Sequence, residues 1–162
     1  MSGKLSSPRD LFLQLLSQML WVERMLVFEV LPGLHRQVES ESLAAAIEEH
    51  LAQTHGHVAR CEEAFRALGA EPASARNAAA AGLVDQHRET TAKLAEPRLT
   101  DLFHAGAAIA TEHLEIASYD LLIELARALG RDDLERPLAE TRDEEARTLE
   151  RLQQLAAALR AV

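Results

Sequence analysis

The sequence predicts an all-α protein with a ferritin-like four-helix bundle, in which two antiparallel hairpins are joined by a long crossover. Ala and Leu dominate the 162 residues, and this composition favours helix. Apolar residues recur at helical spacing in four long segments. Two short connections and one long connection separate these segments, which is typical of a ferritin-like bundle and not of an up-down-up-down one. A single domain covering residues 1–162 is expected at this length.

The first long helix is predicted from Pro8 to about His35. Ser7 is suited to cap its N-terminus, and proline is tolerated in a first helical turn. Pro32 lacks a backbone N–H, so we expect it to bend this helix or to end it early.

A polar connection at residues 37–42 leads into the second long helix, for which Ser40 or Ser42 could be the cap. This helix is predicted to continue to about Leu68, where Gly69 supplies a C-terminal stop. The short connection makes the first two helices an antiparallel hairpin.

Residues 70–99 form the predicted crossover, with a shorter helix at about 76–95. The third long helix is predicted to begin with Thr100 or Asp101 as its cap and to run to Leu129. A tight turn follows Gly130, and the fourth long helix is predicted over about residues 133–160.

Each long helix carries a side chain of the metal-ligand type in the middle of its apolar stripe. A lone carboxylate in such a position is costly to bury. Carboxylates and imidazoles that converge from four helices are what a metal pair in a bundle core requires. The interior residues of this kind are Glu23, His50, His57, Glu112 and Glu145.

These residues also share a height along the predicted bundle. At about 1.5 Å of rise per residue, Glu23 and Glu145 lie roughly 20 Å from the start of their helices and Glu112 roughly 18 Å. The midpoint between the two histidines lies about 20 Å from the turn before the second helix. Glu115 lies one turn from Glu112, so it could join the site or flank it. Gln53 and Glu144 are less favoured candidates, and His113 is expected to point away from the site.

Carboxylate and imidazole ligands suit iron, manganese or zinc. Two such metals with bridging carboxylates can pass electrons to oxygen or peroxide, or hold oxidised iron. Cys61 is interpreted as a small core residue. Tyr119 could hydrogen-bond a ligand or carry a radical, although a core tyrosine whose hydroxyl finds a partner is the commoner case.

Each ligand has an alternative structural interpretation when it is taken alone. Glu23 could pair with Arg60, and either core histidine could be satisfied by hydrogen bonds. Residues 143–145 form an acidic run, and such runs are usually solvated helix faces. The coincidence of four helices at one height favours the metal site over these separate explanations.

Four segments resemble the YciF-like family of bacterial ferritin-like proteins. The most specific is EHLEIASY at residues 112–119, and the others are residues 22–26, 48–60 and 140–145. The resemblance extends over about residues 8–158 in the same order. It implies a ferritin-like bundle, often dimeric and linked to bacterial stress responses, with a two-metal centre. It implies no particular reaction.

The sequence departs from the family pattern at two positions. The family usually has a carboxylate where Gln53 stands and an acid where Leu149 stands, and the ExxH pairs of better-known di-iron bundles are absent from the second and fourth long helices. His57 stands where the family often has glutamine and could replace one lost ligand. A two-metal site, a one-metal site and an empty site all remain open at this point.

Four functions are compatible with these features. The first is a stress-related metal-binding protein with iron or manganese, acting as an oxidoreductase on oxygen or peroxide. Its primary ligands would be Glu23, Glu112 and Glu145, with His50 or His57 completing the set and Glu115 bridging. The second is a non-enzymatic bundle with a degenerate site that acts through protein interactions. An iron-storage cage is disfavoured because the chain stops at Val162, before the extra helix of cage-forming ferritins. A haem or apolar-ligand bundle with histidine ligands is the weakest of the four.

Composition also bears on partners and location. The net charge of −9 makes nucleic acid an unexpected partner. The N-terminus lacks the apolar core of a signal peptide, and no stretch of about eighteen uncharged apolar residues suggests a membrane span, so a cytoplasmic location is expected. The first long helix is apolar almost all round, which predicts a homodimer that covers its second face.

Overall fold

The computed structural model describes residues 4–160, and five helices account for most of them. The four long helices and the short crossover helix occur in the predicted order. Their bounds are α1 Pro8–His35, α2 Glu41–Ala67, α3 Ala78–Thr91, α4 Pro97–Ala128 and α5 Asp132–Arg160. Within residues 4–160 no strand is present. The predicted all-α, ferritin-like bundle is confirmed.

The four long helices surround one core. Helix α1 packs against α2 and α4, and α5 packs against the same two helices, so α1 and α5 lie on one diagonal of the bundle. Helix α3 of the crossover packs on the outside of α4. The predicted apolar stripes face inward, and their buried members include Leu16, Ile47, Ile123 and Leu138.

Helix α1 changes its hydrogen-bonding pattern shortly after Glu23. Residues Leu26–Val30 form a π-helical turn in which the Leu31 N–H donates to the Leu26 carbonyl. Pro32 follows immediately and cannot donate to the carbonyl four residues before it, as an α-helix would require. The expected disturbance at Pro32 is therefore a π turn that lets the helix continue to His35.

The ends of α2 and α4 are closed as the glycines predict. Gly69 and Gly130 adopt positive φ angles of 66° and 64°. After each helix, two backbone N–H groups donate to carbonyls of the last turn in the Schellman pattern. Ser7 and Ser40 also accept the backbone hydrogen bonds expected of N-terminal caps.

The predicted cap of α4 is wrong. The helix begins at Pro97, and the Glu96 carboxylate accepts from the N–H groups of Arg98 and Leu99. Asp101 is instead buried, and its carboxylate accepts from Glu39 N–H at 3.1 Å and from Ser40 N–H at 2.7 Å. A side chain that resembled a local cap therefore connects α4 to the turn before α2. The crossover helix is also shorter at both ends than the predicted range of 76–95.

Helix α1 is long and apolar enough, by length and composition, to cross a membrane. Half of its most apolar window is buried inside the bundle. The core helix of a bundle meets the same criterion. Glu23, on the buried side of α1, contacts the polar side chains of His57 and Tyr119 inside the bundle.

We predict that Asp101→Ala lowers the free energy of unfolding by about 2–3 kcal/mol, because it removes charge-assisted hydrogen bonds and leaves backbone donors without their acceptor. Urea unfolding followed by circular dichroism measures the change. Asp120→Ala is the matched control, since Asp120 is exposed on the same helix and pairs with Arg142 at the surface. Equal stability of the two variants would contradict the assigned role of Asp101.

Candidate metal centre

All six predicted ligands lie together in the middle of the bundle. Helix α1 contributes Glu23, α2 contributes the two histidines, α4 contributes two glutamates and α5 contributes Glu145. Every one of them is less than 5% exposed. The predicted convergence of acids and imidazoles from four helices therefore occurs in the structure.

The ligand atoms fall into two adjacent groups. His50, Glu112, Glu115 and Glu145 form one group, and Glu23, His57 and Glu145 form the other. Within each group the atoms lie within 4.8 Å of one another. Glu145 belongs to both groups, so the carboxylate that could bridge two ions is Glu145, whereas the sequence suggested Glu115.

The distances show close but unsatisfied contacts. His57 Nδ1 lies 2.8 Å from Glu145 Oε1 and 3.5 Å from Glu23 Oε2. His50 Nε2 lies 3.3 Å from Glu112 Oε1. None of these three contacts has the geometry of a hydrogen bond, and His50 Nε2 and His57 Nδ1 have no other hydrogen-bond partner within residues 4–160.

The unsatisfied atoms are concentrated at this site. Among residues 4–160, ten buried side-chain nitrogen or oxygen atoms lack a hydrogen-bond partner. Nine of them belong to the six predicted ligands, and the tenth is His104 Nε2. Buried polar atoms in folded proteins are normally paired, and a cluster of this size is what a group of cation ligands presents. The residues present therefore fit a metal.

The outer neighbours hold the ligands in place. Glu144 Oε2 lies 2.9 Å from His57 Nε2, and the Arg60 guanidinium donates to Glu144 at 2.6 Å. Tyr119 donates from its hydroxyl to Glu23 Oε1. A carboxylate on the far nitrogen of a histidine fixes the ring and its tautomer, which is common around metal ligands. His57 Nδ1 and Glu23 Oε2 are left facing the centre.

Several alternative interpretations do not hold. Arg60 pairs with Glu140 and Glu144 and not with Glu23. In the acidic run at residues 143–145, only Asp143 is exposed. His113 is exposed, as expected. Cys61 is buried and contacts the Tyr119 hydroxyl at 3.5 Å, which agrees with a core role.

Gln53 is half-buried and accepts a hydrogen bond from Thr148 at 3.3 Å. Leu149 is half-buried too. Neither side chain belongs to the two groups of ligand atoms.

The pKa values of the four glutamates at the site are shifted in different directions. Burial, together with the charge of Glu145, raises the pKa of Glu112 and of Glu115 well above its usual value. Burial also raises the pKa of Glu23, against the lowering effect of His57. Burial opposes ionisation of Glu145 as well, but the neighbouring His57 and His50 hold its pKa below the usual value.

The two histidines also differ. Burial lowers the pKa of His50. Burial has the same effect on His57, but Glu145 and Glu23 outweigh it and raise the pKa of His57 to about 10. In the absence of a cation the site therefore holds protons, and a metal ion would displace them.

Sequence reasoning missed one feature close to the centre. His104 is buried on α4, and its Nδ1 lies 2.8 Å from His87 Nε2 on the crossover helix. His87 lies in the segment with the weakest apolar pattern, so its sequence gave no signal of a buried partner.

Comparison with known proteins identifies the family. Residues 7–161 match the family described as a domain of unknown function (DUF892). The chain is 32% identical to Protein YciF of Escherichia coli (strain K12), over 91% of this chain and 89% of that protein. The chain belongs to the YciF-like DUF892 family.

Solved structures of YciF-like proteins have the same fold. YcfI of Rhodopseudomonas palustris, described as a proposed structural protein, superposes with a TM-score of 0.91 at 29% identity, over 94% of this chain and 97% of its own. The stress protein YciF of E. coli gives 0.89 at 30% identity, over 95% and 97%. A Xanthomonas campestris protein (XCC3681) gives 0.77 at 19% identity, over 94% and 93%, and supports the fold alone.

We predict that Glu115→Leu raises the stability of the metal-free protein by about 1–3 kcal/mol. In the part of the chain that the structure describes, neither carboxylate oxygen of Glu115 has a hydrogen-bond partner, and the substitution removes the penalty of burying them. Urea unfolding in the presence of a chelator measures the effect. Glu124→Leu, at an exposed site on the same helix, is the control, and a less stable Glu115→Leu protein would contradict the prediction.

Proposed function

We propose that this protein is a stress-related metal-binding protein that holds two adjacent iron or manganese ions and acts as an oxidoreductase on oxygen or peroxide. The observation that carries the proposal is the cluster of nine buried donor atoms on four helices that have no hydrogen-bond partner in the described part of the chain, residues 4–160. Its division into two groups that share Glu145 supports two neighbouring metal positions. Bound iron or manganese would supply electron transfer to oxygen or peroxide.

The donor chemistry favours these ions. Carboxylate and imidazole ligands suit iron and manganese, whereas structural zinc and iron–sulfur sites usually take thiolates. Cys61, the one cysteine of the chain, lies beside Tyr119 and outside both ligand groups.

Three residues outside the two groups position the ligands. Glu144, held by Arg60, accepts from His57 Nε2, so that Nδ1 can carry a lone pair toward the centre. Tyr119 occupies one oxygen of Glu23 and leaves the other for an ion. This is the role that second-sphere hydrogen bonds usually have around metals.

The family supports the stress-related part of the proposal, since a solved relative is described as the E. coli stress protein YciF. A homodimer through α1 is proposed because Phe28 is 76% exposed and because Leu13, Trp21 and Met25 are only partly covered.

A second function is a non-enzymatic bundle that acts through protein interactions. It is favoured by Gln53 and Leu149, which replace the acids usual in the family, and by the structural role suggested for the R. palustris relative. Under this second function the buried acids would remain protonated or paired with histidine, and added metal would not change the stability of the protein.

We predict that iron(II) or manganese(II) raises the melting temperature of the chelator-treated protein. At a metal concentration of a hundred times Kd, the free energy of unfolding should rise by about 2.7 kcal/mol. Glu145→Gln should remove most of this increase, because Glu145 belongs to both groups of donor atoms. Anaerobic differential scanning calorimetry, combined with metal analysis of the purified protein, provides the measurement.

Glu150→Gln is the matched control for Glu145→Gln, since it lies on the same helix with an exposed side chain. It should respond to metal as the unmodified protein does. A melting temperature that neither ion changes, in a protein that also purifies without metal, would exclude the metal-binding proposal and favour the second function.

We predict that Phe28→Glu converts the dimer to a monomer, because it places a charge on the apolar face that the partner would cover. Light scattering coupled to size-exclusion chromatography reports the mass. Ala157→Lys introduces a charge on α5, diagonally across the bundle from α1, and should leave the dimer intact. An unmodified protein that is monomeric at high concentration would contradict the proposed dimer.

A further inference from the structure

An apolar cavity lies beside the metal centre. Its walls come from all five helices, and eleven of its seventeen lining residues are Leu, Ile, Val or Ala. The centre of a water-sized molecule can move through about 60 Å³ of it, whereas holding one water takes only about 10–15 Å³. The cavity can therefore hold a molecule of a few atoms, and its aliphatic walls offer water few hydrogen bonds.

The inner end of the cavity meets the first group of ligands. His50 and Glu112 line it, and Glu112 is its one acidic lining residue. Ala46 precedes His50 by one helical turn and Ala108 precedes Glu112 by one turn, and both alanines also line the cavity. Small side chains at these two positions leave space next to the donor atoms.

At its outer end the cavity shares five lining residues with a surface groove, which are Val30, Leu34, Val84, His87 and His104. His87 and His104, whose nitrogens lie 2.8 Å apart, line both the cavity and this groove of about 570 Å³. His104 is 1% exposed, and among the described residues its Nε2 has no hydrogen-bond partner. Burial lowers the pKa of both histidines, so the pair is uncharged near neutral pH.

We propose that this cavity binds a small uncharged molecule with the size and polarity of dioxygen, which enters between His87 and His104 and is held next to His50 and Glu112. The use of that molecule as an oxidant rests on the proposed metal-binding function. For that function the cavity selects dioxygen over peroxide as the oxidant. Peroxide carries two hydroxyl donors, and aliphatic walls would leave them unpaired. Along the aliphatic part of this path a metal ion would lose its water without gaining ligands, since the oxygen-bearing side chains of the lining are those of Thr111, Glu112 and Thr148.

A different approach to His50 is suited to polar molecules. This cleft of about 150 Å³ is lined by Glu49, Gln53, Arg147 and Arg151. Polar side chains of this kind can replace the hydrogen bonds that peroxide or water makes in solution. The two approaches therefore let one experiment separate the two oxidants.

Xenon is the probe for the cavity itself, because it binds apolar cavities without needing hydrogen bonds. Crystals of the metal-free protein under xenon pressure should show an anomalous peak in the cavity. Ala108→Leu should remove the peak by filling the space, and Ala117→Leu, at an exposed site on the same helix, should keep it. Val84→Phe fills the cavity from the crossover helix and covers the case in which Ala108→Leu does not fold.

The absence of xenon from the unmodified protein, or a chain of ordered waters in its place, would overturn the proposal. This measurement needs no metal, so its failure is distinguishable from a failure to bind iron or manganese. A protein that binds no metal but takes up xenon would exclude the proposed function and leave the binding pocket established.

A kinetic experiment tests the choice of oxidant. In protein loaded anaerobically with iron(II), Ala108→Leu should lose most of the rate of oxidation by dioxygen and keep the rate with hydrogen peroxide, at unchanged iron content. Ala117→Leu should keep both rates. Equal loss of both rates in Ala108→Leu, or loss of neither, would overturn the selection of dioxygen.

Discussion

The structure depends on one costly arrangement, the burial of four carboxyl groups and two imidazoles in the centre of a helical bundle. Nine of their atoms have no hydrogen-bond partner within residues 4–160. Transfer of such groups from water is unfavourable by several kcal/mol each unless a partner compensates. The apolar layers on either side of the site, which include Leu138 on one side and Leu152 on the other, must supply the stability that offsets this cost.

Helical periodicity predicted the fold and the six residues because both depend on the direction in which side chains point. A stripe with a period of 3.6 residues marks the inner face, and a constant rise per residue places Glu23 and Glu145 at the same height. Neither property depends on the details of the loops. The roles of those six residues as metal ligands remain a prediction.

Details that depend on tertiary contacts could not be predicted in this way. Asp101 resembles a helix cap in sequence. Its carboxylate instead accepts from the backbone N–H of Glu39, which lies in the turn before α2 and sixty-two residues earlier in the chain. Glu96 has the longer side chain, and the helix that it caps starts one turn earlier than expected. The His87–His104 contact joins the crossover to α4, and no local pattern marks a pairing of that kind.

The bridging role shows the same limit. Sequence spacing places Glu112 and Glu115 on one face, which suggested that Glu115 bridges. The relative positions of α2, α4 and α5 decide that Glu145 lies between the two histidines instead, within reach of both groups. Which residue could bridge two ions is thus a property of helix packing and not of any one helix.

Charge balance gives the departures at Gln53 and Leu149 a physical interpretation. The four carboxylates of Glu23, Glu112, Glu115 and Glu145 carry four negative charges, and two divalent ions with neutral histidines would balance them. A neutral cluster has the smallest desolvation penalty in a dry core. With two divalent ions bound, a further acid at Gln53 or Leu149 would leave the cluster with a net negative charge. The loss of those acids is therefore consistent with a site that is suited to divalent ions, and not only with a degenerate site.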